Sequence, residues 1–482
     1  MSIISQIGLI IFIIATVIAM VRVLMDRRQP AKTIAWLLVL TFLPVIGLIW
    51  YIFFGQNTRK ERIISQKSLD QLTSRKMIEF VAQRGLTLPE EHKQIIQLFI
   101  NQGWALPLRG SVTAIYTEGY TFFPALLEAI GKARHHIHLT TYIFDDDPLG
   151  NLVADALIAK AKQGIEVRII YDDVGSWKTR NRFFDRMIRN GIEVYPFMPV
   201  RFPAFTSKVN YRNHRKLCII DSNTGFIGGM NIAMRYVKGT RSSKSNVSSG
   251  WRDTHLKVEG MAVSGLQCAF LTDWYFVSRI LINDKRYYNS PSPGIANHPS
   301  TLLQLVTSSP TSPWPEIEQG YVHILLSARK YVFMETPYFL PTEPILFAMR
   351  TAALAGIDVR LMIPLHIDAK LVDWASRSYV TQTVEAGVKV YLYKPSFNHS
   401  KLLICDDTLA TCGSTNIDFR SFENNFESNI FIYDDGVAMQ LKQIFLEDQE
   451  QCVLLDDITN LEHRPFITRL WESFVRLLSP LL

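Results

Sequence analysis

Cysteine is scarce in this chain, and its arrangement excludes two common kinds of site. The 482 residues contain five cysteines, an odd number, and none of them forms a C-x-x-C pair. This pattern indicates neither a disulfide framework nor a zinc site. Glycine-rich nucleotide-binding signatures are also missing, because neither a P-loop nor a dinucleotide fingerprint occurs. The sequence therefore disfavours a nucleotide-activated donor held by one of those folds.

Charged residues are few as well, at 20% of the chain, whereas 48% of the residues are hydrophobic. Soluble domains usually have about 25% charged residues, so this balance indicates a part of the chain that is attached to a membrane. The net charge of +7 fits two kinds of partner, nucleic acid and anionic lipid headgroups. Basic residues that flank membrane segments can also supply much of this charge.

Two long apolar runs occur near the N-terminus, at residues 3–25 and 33–54. Each is long enough to cross a hydrocarbon core, which requires about 20 residues. A short polar turn separates them, so we predict a transmembrane helical hairpin over residues 1–56. Pro44 lies inside the second run. The alternative is a pair of buried helices in a soluble core; a cleaved signal peptide is disfavoured because no basic segment precedes the first run.

The basic residues around these runs give little guidance on membrane orientation. Four lie in or beside the connecting turn and four follow the second run: Arg22, Arg27, Arg28 and Lys32, then Arg59, Lys60, Arg62 and Lys67. Because the basic cluster continues through Arg75 and Lys76, the positive-inside rule favours a cytoplasmic location for the larger part of the chain.

The most informative pattern is a motif that occurs twice, about 185 positions apart. Each copy reads His-x-Lys, four further residues and Asp, followed at the same distance by Gly-x-x-Asn. The first copy contains His214, Lys216, Asp221 and Asn231, and the second contains His399, Lys401, Asp406 and Asn416. Identical gaps between so many fixed residues indicate an internal duplication.

The spacing within the motif favours a reactive role. A histidine and a lysine two positions apart on a strand project to the same face. A buried strand presents an imidazole and an ammonium together only where both face a polar pocket. Asp221 and Asp406 follow at an odd offset, so we expect them at the strand ends, where they hold the site in place. The alternative is that each histidine is an ordinary strand-end residue, and the matched second copy weighs against it.

From about residue 108 onwards, strands and helices alternate in an order that repeats. The first half predicts strands at 136–144, 166–171, 193–197 and 217–220, with helices at 149–163 and 180–190. The second half predicts strands at 331–336, 358–363 and 389–393, with helices at 343–355 and 372–386. Gly164 and Gly356 end equivalent helices in near-identical contexts. The pattern predicts α/β layers in each half.

We divide the chain into six parts on this basis. These are a membrane hairpin at 1–56, a helical connector at 57–107, a first half at 108–282, a linker rich in Ser, Pro and Asn at 283–316, a second half at 317–450 and an amphipathic tail at 451–482. The basic loop 235–249 is either a solvated surface loop or a phosphate contact. The helix in the tail is either an interfacial anchor or a helix that docks on the core.

The paired motifs resemble those of the phospholipase D superfamily, and with the apolar N-terminus the chain is similar to the bacterial cardiolipin synthases. Further support comes from the segments Phe226–Ile232, Trp251–Val258 and Glu335–Leu340. The resemblance implies an α/β fold in which two pseudo-symmetric phospholipase D-type α/β/α halves pack together behind the membrane hairpin. It also implies a multi-pass protein of the bacterial inner membrane.

The resemblance also implies a reaction and roles for individual residues. His214 would attack the phosphorus of phosphatidylglycerol, and His399 would serve as general acid and then as general base. Lys216, Lys401, Asn231 and Asn416 would hold the phosphoryl oxygens in place of a metal, so no metal and no cofactor are expected. Asp253 and Glu427 are the best candidates to orient the histidines. Cardiolipin and glycerol would be the products, and the motif aspartates Asp221 and Asp406 belong to the same catalytic set.

Three alternatives to this function are considered, and the enzymatic ones would use the same residues. A phospholipase D hydrolase, or a phosphatidyltransferase that uses another alcohol, would need the same site. A nuclease would account for the basic charge, but it leaves the apolar N-terminus unexplained, and no nucleic acid partner is expected because basic and aromatic residues are not interleaved. A non-catalytic membrane scaffold is disfavoured by two intact motifs. The expected partners are therefore phosphatidylglycerol and other anionic phospholipids.

Overall fold

The computed structural model describes residues 3–26, 30–55, 88–103, 105–200, 210–238, 250–287, 301–455 and 465–481. Three predicted features lie wholly or largely outside these ranges. They are the basic residues between 59 and 76, most of the loop 235–249 and part of the linker 283–316.

The first apolar run forms one long helix, α1 (Ile3–Met25). Within the described residues, Ser5–Met25 is the one helix that is long and apolar enough to cross a membrane. Its side chains are largely exposed on the protein, including Ile10 and Ile14. This helix therefore meets the length and composition that the sequence predicted for the first span.

The second apolar run differs from the expected single span, because it forms two short helices, α2 (Pro30–Phe42) and α3 (Pro44–Phe54). Leu43, between them, has a non-helical backbone with φ −127° and ψ 58°. Pro44 lacks the amide hydrogen that an unbroken helix would need at this position. The helix in this apolar run is therefore interrupted at Leu43, directly before the proline that begins α3.

The two short helices fold back on each other. The rings of Trp36 on α2 and Tyr51 on α3 lie 5.6 Å apart between centroids. An unbroken helix would separate these residues by about 22 Å, because each residue adds about 1.5 Å. Gly47 permits the close approach, since a Cβ there would meet the Val39 carbonyl oxygen at 2.7 Å. Each helix is too short to cross a bilayer alone.

Eleven further helices belong to the described remainder of the chain. They are α4 (Lys93–Gly103), α5 (Gly119–Lys132), α6 (Pro148–Lys162), α7 (Asn181–Arg189), α8 (Arg235–Lys238), α9 (Val263–Ser278), α10 (Glu316–Ser327), α11 (Glu343–Leu354), α12 (Lys370–Glu385), α13 (Asp435–Glu450) and α14 (Phe466–Arg476). Short 3₁₀ turns occur at Glu90–His92, Lys285–Tyr287 and Ser479–Leu481, and a π-helical turn occurs at Arg420–Asn424.

The strands of the first half, with the strand that follows it, are β1 (Pro107–Glu118), β2 (His136–Thr141), β3 (Glu166–Asp172), β4 (Glu193–Phe197), β5 (Leu217–Ile220), β6 (Thr224–Gly228), β7 (Arg252–Glu259) and β8 (Thr301–Ser308). Those of the second half are β9 (Tyr331–Glu335), β10 (Phe339–Leu340), β11 (Asp358–Pro364), β12 (Lys389–Tyr393), β13 (Leu402–Cys405), β14 (Leu409–Gly413), β15 (Ile417–Asp418), β16 (Glu427–Tyr433) and β17 (Cys452–Leu454).

Fifteen of these strands form one sheet that runs through both halves. The spatial order is β17-β12-β11-β9-β13-β14-β16-β8-β1-β7-β6-β5-β2-β3-β4. Counting outwards from the centre, β8 and β1 each begin a series of seven strands in equivalent order, and β17 adds a fifteenth strand at one edge. The two series join where β1 pairs with β8 in the antiparallel sense. Helices cover both faces of the sheet. The predicted fold of two α/β/α halves is confirmed, and the two sheets form one continuous sheet.

The strand β8 lies within the predicted linker 283–316, which is the main departure from the expected domain boundaries. The apolar residues Leu302, Leu303 and Val306 are buried, and β8 pairs with β16 on one side and β1 on the other. The Ser- and Pro-rich residues on both sides of this short run obscured the strand. Burial of β8 at the centre of the sheet stabilises the strand despite the Ser- and Pro-rich sequence on both sides of it.

One hydrophobic core cluster contains residues from both halves, including Ile219 and Leu256 from the first and Ile404 and Ile430 from the second. A second cluster lies in the second half and includes residues of α4 and α14, and a third lies in the first half. The shared cluster lies under α9 and α13. The halves therefore meet through packed side chains as well as through the β1–β8 pair, which fixes the relative position of the two motifs.

Candidate active site

The two motif histidines lie just before equivalent strands, β5 and β13, at the junction of the halves. His214, Lys216, His399 and Lys401 are all buried. The four apolar residues that follow each lysine form the strand itself, Leu217–Ile220 in one half and Leu402–Cys405 in the other. The reactive side chains therefore extend from the ends of two buried strands.

Backbone hydrogen bonds hold each motif histidine against the opposite half. The His214 amide donates to the Phe426 carbonyl at 2.9 Å, and the Phe426 amide donates to the Arg212 carbonyl at 2.8 Å. In the second copy, the His399 amide donates to the Arg252 carbonyl at 2.6 Å. The residue before each motif histidine, Asn213 or Asn398, therefore forms a single parallel bridge to the opposite half.

The carboxylates that contact the histidines come from the opposite half in both cases. The Nδ1 atom of His214 lies 3.1 Å from the Glu427 carboxylate and 3.0 Å from the Ser414 carbonyl oxygen. The Nδ1 atom of His399 lies 2.7 Å from Asp253 Oδ2. An acceptor at Nδ1 fixes the tautomer that leaves Nε2 free as a nucleophile or base. The structure thus brings both predicted orienting residues to the two histidines.

The two lysines lie beside the histidines of their own motifs. Lys216 Nζ donates to the His214 carbonyl at 2.5 Å and lies 5.4 Å from the centre of the Tyr142 ring. Lys401 Nζ contacts the His399 carbonyl and lies 2.8 Å from His399 Nδ1. Each ammonium keeps N–H groups for an anion, because a lysine has three donors.

Burial and the concentration of positive charge determine the protonation of the site. Burial lowers the pKa of His214, and the Glu427 carboxylate opposes this effect. Burial also lowers the pKa of His399, and Lys401, Lys216 and His214 lower it further, to well below the ordinary value. Positive charge on Lys401, Lys216 or His214 therefore disfavours a proton on His399.

The lysines and carboxylates are shifted in ways that match this picture. Burial lowers the pKa of Lys401 to about 8, against the pull of Asp253, and lowers that of Lys216 well below its ordinary value. Burial raises the pKa of Asp253 to about 6. Burial acts to raise the pKa of Glu427 too, but His214 and Lys216 outweigh it and hold that pKa below its ordinary value. Such shifts in a cluster of buried ionisable groups are typical of active sites.

The motif aspartates lie at the far ends of the motif strands. Asp221 accepts hydrogen bonds from the amides of Arg134, His135 and His136 at 2.8 to 2.9 Å. Asp406 accepts equivalent bonds from the amides of residues 329–331. Both aspartates have positive φ, 53° and 51°. They tie the turn after the motif strand to the start of β2 or β9, and among the described residues neither carboxylate hydrogen-bonds to His214 or His399.

The motif asparagines bind their own loops. Asn231 Oδ1 accepts from the Ile143 amide at 3.1 Å, and its Nδ2 donates to the Tyr236 hydroxyl at 2.9 Å. Asn416 Nδ2 donates to Asp418 at 3.0 Å. Each amide nitrogen has a second hydrogen, which remains for a phosphoryl oxygen.

Within the part of the chain that the structure describes, no group of three or more His, Cys, Asp or Glu side chains is arranged to hold a metal ion. The positive charges close to the histidines are the two lysines and, further out, arginines. These groups are the ones available to bind an anion at this site.

The comparisons with known proteins agree with this geometry. A family model described as "Cardiolipin synthase, PLD-like domain" matches residues 126–249 and 321–449, which fall in the two halves and carry both motif histidines. The chain belongs to the cardiolipin synthase family. A second model, described as "Phospholipase_D-nuclease N-terminal", matches residues 14–56, the region of the apolar helices.

Curated relatives place the chain in the same family along almost its whole length. A cardiolipin synthase of Geobacillus kaustophilus is 40% identical over 95% of this chain and 90% of its own. Cardiolipin synthase 2 of Bacillus anthracis is 39% identical over 95% of this chain and 88% of its own. A Clostridium perfringens relative is 37% identical over 95% of both chains. As a member of this family the chain is a phosphatidyltransferase of the phospholipase D type.

A solved structure confirms the fold. Phosphatidylserine synthase of Haemophilus influenzae aligns with a TM-score of 0.59 at 15% identity, covering 82% of this chain and all of the other. At this identity the likeness supports the fold alone, and it extends through both halves.

Two arginines lie beside the site, of which the sequence analysis named Arg235 only as part of the basic loop 235–249 and did not single out Arg420. Each lies four residues after a motif asparagine, in Asn231-Ile-Ala-Met-Arg235 and Asn416-Ile-Asp-Phe-Arg420. Arg235 lowers the pKa of His399, and Arg420 acts on Tyr142, whose ring lies 5.0 Å from that of His214. Extending the comparison of the two motifs by four residues would have found both.

Buried ion pairs support the site of this cardiolipin synthase family member. The residues that form them differ between the two halves. Arg215 donates to Asp273 at 2.6 Å and to the Glu427 carbonyl at 3.0 Å. The equivalent position in the second motif is Ser400, whose hydroxyl lies 2.7 Å from that of Thr254. There the buried arginine is Arg252, which pairs with Asp448 at 2.6 Å.

Proposed function

We propose that this enzyme transfers a phosphatidyl group between two phosphatidylglycerol molecules, giving cardiolipin and glycerol through a covalent phosphatidyl-histidine. The observation that carries the proposal is the pairing of each motif histidine with a carboxylate from the opposite half. This pairing brings two imidazoles and two ammonium groups to one buried place. A phosphodiester can be exchanged there in two in-line displacements.

In the first displacement, Nε2 of His214 attacks the phosphorus of the donor lipid. The phosphorus–oxygen bond to the headgroup glycerol breaks, and protonated His399 gives its proton to the departing alkoxide. Lys216 and Lys401 hold the phosphoryl oxygens, with the second amide hydrogens of Asn231 and Asn416 adding further donors. Glu427 stabilises the positive charge that develops on His214.

In the second displacement, His399 is neutral and accepts a proton from a hydroxyl group of the acceptor lipid. The resulting alkoxide attacks the phosphorus, the nitrogen–phosphorus bond breaks, and His214 returns to its starting state. One phosphodiester is broken and one is formed, so no external energy source is needed. Asp253 holds His399 in the tautomer that both steps require.

The bound phosphodiester itself prepares His399 to act as an acid. In the free site, burial and the two ammonium groups depress the pKa of His399. An anionic phosphate placed between Lys216 and Lys401 offsets their charge, and this raises the pKa of His399 towards neutrality. Protonation of the acid is thus coupled to the arrival of the substrate.

Asp221 and Asp406 act in this proposal by position. Each accepts three backbone N–H groups at a tight turn, which fixes the end of a motif strand. Carboxylates with several amide donors are rigid anchors. Their contribution is therefore the placement of the histidine and lysine at the opposite end of each strand.

The proposal places the enzyme in the bacterial cell membrane with its catalytic halves at the cytoplasmic face. Helix α1 crosses the bilayer, whereas α2 and α3 enter from the catalytic side and return to it. Support comes from Lys32, which lies near the start of α2 and pairs with Glu423 of the second half at 2.8 Å. Labelling of an introduced surface cysteine in inverted vesicles, with intact cells as the comparison, tests this orientation.

Product analysis tests the reaction. Full-length enzyme in vesicles containing phosphatidylglycerol labelled in the headgroup and in the acyl chains should release one glycerol for each cardiolipin formed. Mass spectrometry of rapidly quenched enzyme should find the phosphatidyl adduct on His214. Formation of phosphatidic acid without cardiolipin would assign a hydrolase. Loss of activity on chelation of divalent cations, restored by their return, would show that the lysines do not suffice.

A further inference from the structure

The C-terminal helix α14 (Phe466–Arg476) exposes its apolar side chains, whereas a helix at a water-facing surface usually buries them. Its large apolar side chains point outwards: Phe466, Ile467, Leu470 and Phe474, with Leu477 just beyond the helix, are 54 to 78% exposed. The residues that it buries are Glu472 and Val475, at 2% and 1% exposure. An exposed apolar face of this kind marks a surface that meets something other than water.

The helix is nevertheless firmly docked on the second half. Its Trp471 ring lies 5.8 Å from that of Trp374 on α12, in an edge-on arrangement. The Arg476 guanidinium lies 4.7 Å from the centre of the Tyr379 ring. Val475 belongs to the core cluster of the second half. The apolar face is therefore left outside by a helix that has already made its contacts with the protein.

The helix lies beside the point at which the apolar N-terminal helices meet the catalytic halves. A cavity of about 280 Å³ is lined by Lys32 near the start of α2, by Tyr379 of α12, and by Arg476 and Pro480 of the C-terminal segment. Lys32 is held there by its ion pair with Glu423. The C-terminal segment thus lies beside α2, in the part of the chain that carries the membrane helix.

We propose that α14 lies in the boundary between lipid headgroups and acyl chains, with its apolar face in the cytoplasmic leaflet. The occupant is the lipid monolayer, because Lys32, which lines the cavity together with Arg476, belongs to the apolar N-terminal segment, and the first helix of that segment, α1, is exposed and apolar along its length. Interfacial helices of this kind insert about 5–10 Å below the headgroups. Arg469 and Arg476 supply the positive charges that anionic lipids attract. The surface keeps the second half at the level of the lipid substrate, and it does not depend on the chemistry of the histidines.

A fluorescent probe at Phe474 tests the proposal in the full-length enzyme. The Phe474→Cys variant carries an environment-sensitive label in a background where Cys268 and Cys452, the partly exposed native cysteines, are replaced by Ala. The vesicles contain phosphatidylglycerol, phosphatidylethanolamine and lipids with a quencher at a shallow or a deep acyl position. We expect a shift of emission to shorter wavelength and stronger quenching by the shallow lipid than by the deep one.

The matched control is Met439→Cys with the same label. Met439 is 56% exposed on α13, which packs on the core cluster at the other face of the sheet from α12 and α14. We expect quenching of this label by aqueous iodide and no quenching by the lipids. If the Phe474→Cys variant does not fold, Leu477→Cys provides the same measurement, because Leu477 is 74% exposed.

Two results would overturn the proposal. A Phe474 label as accessible to iodide as the Met439 label would show that the face lies in water. A blue-shifted label that no lipid quenches, and whose shift disappears on dilution of the protein within the bilayer, would show that a second copy of the chain covers the helix.

Discussion

The two halves carry the same motif on the same strands, but the surroundings of the two histidines differ. His214 lies against Glu427 and the Ser414 carbonyl, with the Tyr142 ring at its side. His399 lies against Asp253, with Lys401 at 2.8 Å and the Trp251 ring 5.5 Å away. Duplication of the backbone accounts for where the histidines lie. Substitutions in the neighbouring residues account for how each one holds a proton.

The difference is visible in the signs of the neighbouring charges. After burial, the largest influence on the pKa of His214 is the carboxylate of Glu427, which raises it. After burial, the largest influences on His399 are three positively charged or basic neighbours, which lower it. A pseudo-symmetric fold has thus produced two unequal imidazoles, and two unequal imidazoles are what a nucleophile and an acid/base pair require.

Replacing the histidines should have the largest effect. We expect His214→Asn to reduce cardiolipin formation by at least about 10⁴-fold, because the covalent route is lost. We expect His399→Asn to reduce it by about 10²- to 10⁴-fold, the range for removal of a general acid or base. Assays of labelled phosphatidylglycerol turnover measure both. An adduct that maps to His399 in the wild type would reverse the roles of the two halves.

Replacing the two carboxylates should reveal a further functional difference between the two histidines. We expect Glu427→Gln to slow transfer by about 10²-fold or more, because it removes the anion that stabilises a charged His214. Asp253→Asn should cost about tenfold near neutral pH, in the range for a group that orients a histidine. Rate measurements across pH provide the check.

The control for these two variants is the dependence of their transfer rates on pH in the acidic range. The pKa of Asp253 is raised to about 6, so its carboxylate is ionised above that pH and is lost as the pH falls through about 6. The gap between wild type and Asp253→Asn should therefore close at low pH. Glu427 has a pKa below the ordinary value, so the Glu427→Gln gap should persist. Equal behaviour of the two variants would contradict the asymmetry.

Loss of the lysine charge should determine the pH above which activity falls. The pKa of Lys401 is lowered to about 8, so its charge is present below that pH and is lost as the pH rises through it. We expect kcat/KM, which reports the free enzyme, to fall with an apparent pKa of about 8. In kcat the same limb should move to higher pH, because the bound phosphodiester raises the pKa of both lysines. Identical limbs in the two profiles would contradict this account.

Replacing Arg235 or Arg420 should have the smallest and most selective effects. Arg235 pairs with Asp145 at 2.5 Å, whereas Arg420 has no ion pair or side-chain hydrogen bond to any residue that the structure describes. We expect Arg420→Gln to raise KM for phosphatidylglycerol by about tenfold, as loss of one charge-assisted hydrogen bond to a phosphate would. Initial rates over a range of lipid surface concentrations give this value.

Arg235→Gln is the matched control, since it removes a guanidinium at the equivalent position of the other half. Its charge is already paired, so we expect a loss of stability of about 1 kcal/mol and little change in KM. Thermal unfolding of both variants separates the two effects. A large KM change in Arg235→Gln with none in Arg420→Gln would assign phosphate binding to the opposite half.

The elements that contain the motifs could be predicted because their signals are local. Gly164 and Gly356 have φ of 85° and 90°, so they end equivalent helices for the reason that their sequence context suggests. Asp221 and Asp406 lie at strand ends because their odd offset from the histidines allows no other place on the strand. The strand β2 ends at Thr141, three residues earlier than predicted, because the chain then leaves the sheet towards the Asn231 loop.

The remainder depends on contacts that spacing does not encode. The sequence suggested Asp253 and Glu427 as orienting residues, but it could not say which histidine each would meet. Pairing across the halves arises because Phe426 and Arg252 hydrogen-bond the opposite motif segments. The second apolar run satisfied the length rule for a span, yet Pro44 broke it into two helices. The strand β8 was obscured because its burial comes from β1 and β16, which are distant in sequence.

The exchange of carboxylates across the junction has a consequence for how such a chain can evolve. Each half supplies the carboxylate that contacts the histidine of the other half. Loss of the site residues in one half would therefore also impair the histidine of the other. The copies differ at positions such as Arg215 and Ser400, so neighbouring residues can diverge while both carboxylates are kept. Separate expression of the two copies would then yield two polypeptides, each with a histidine that lacks its carboxylate.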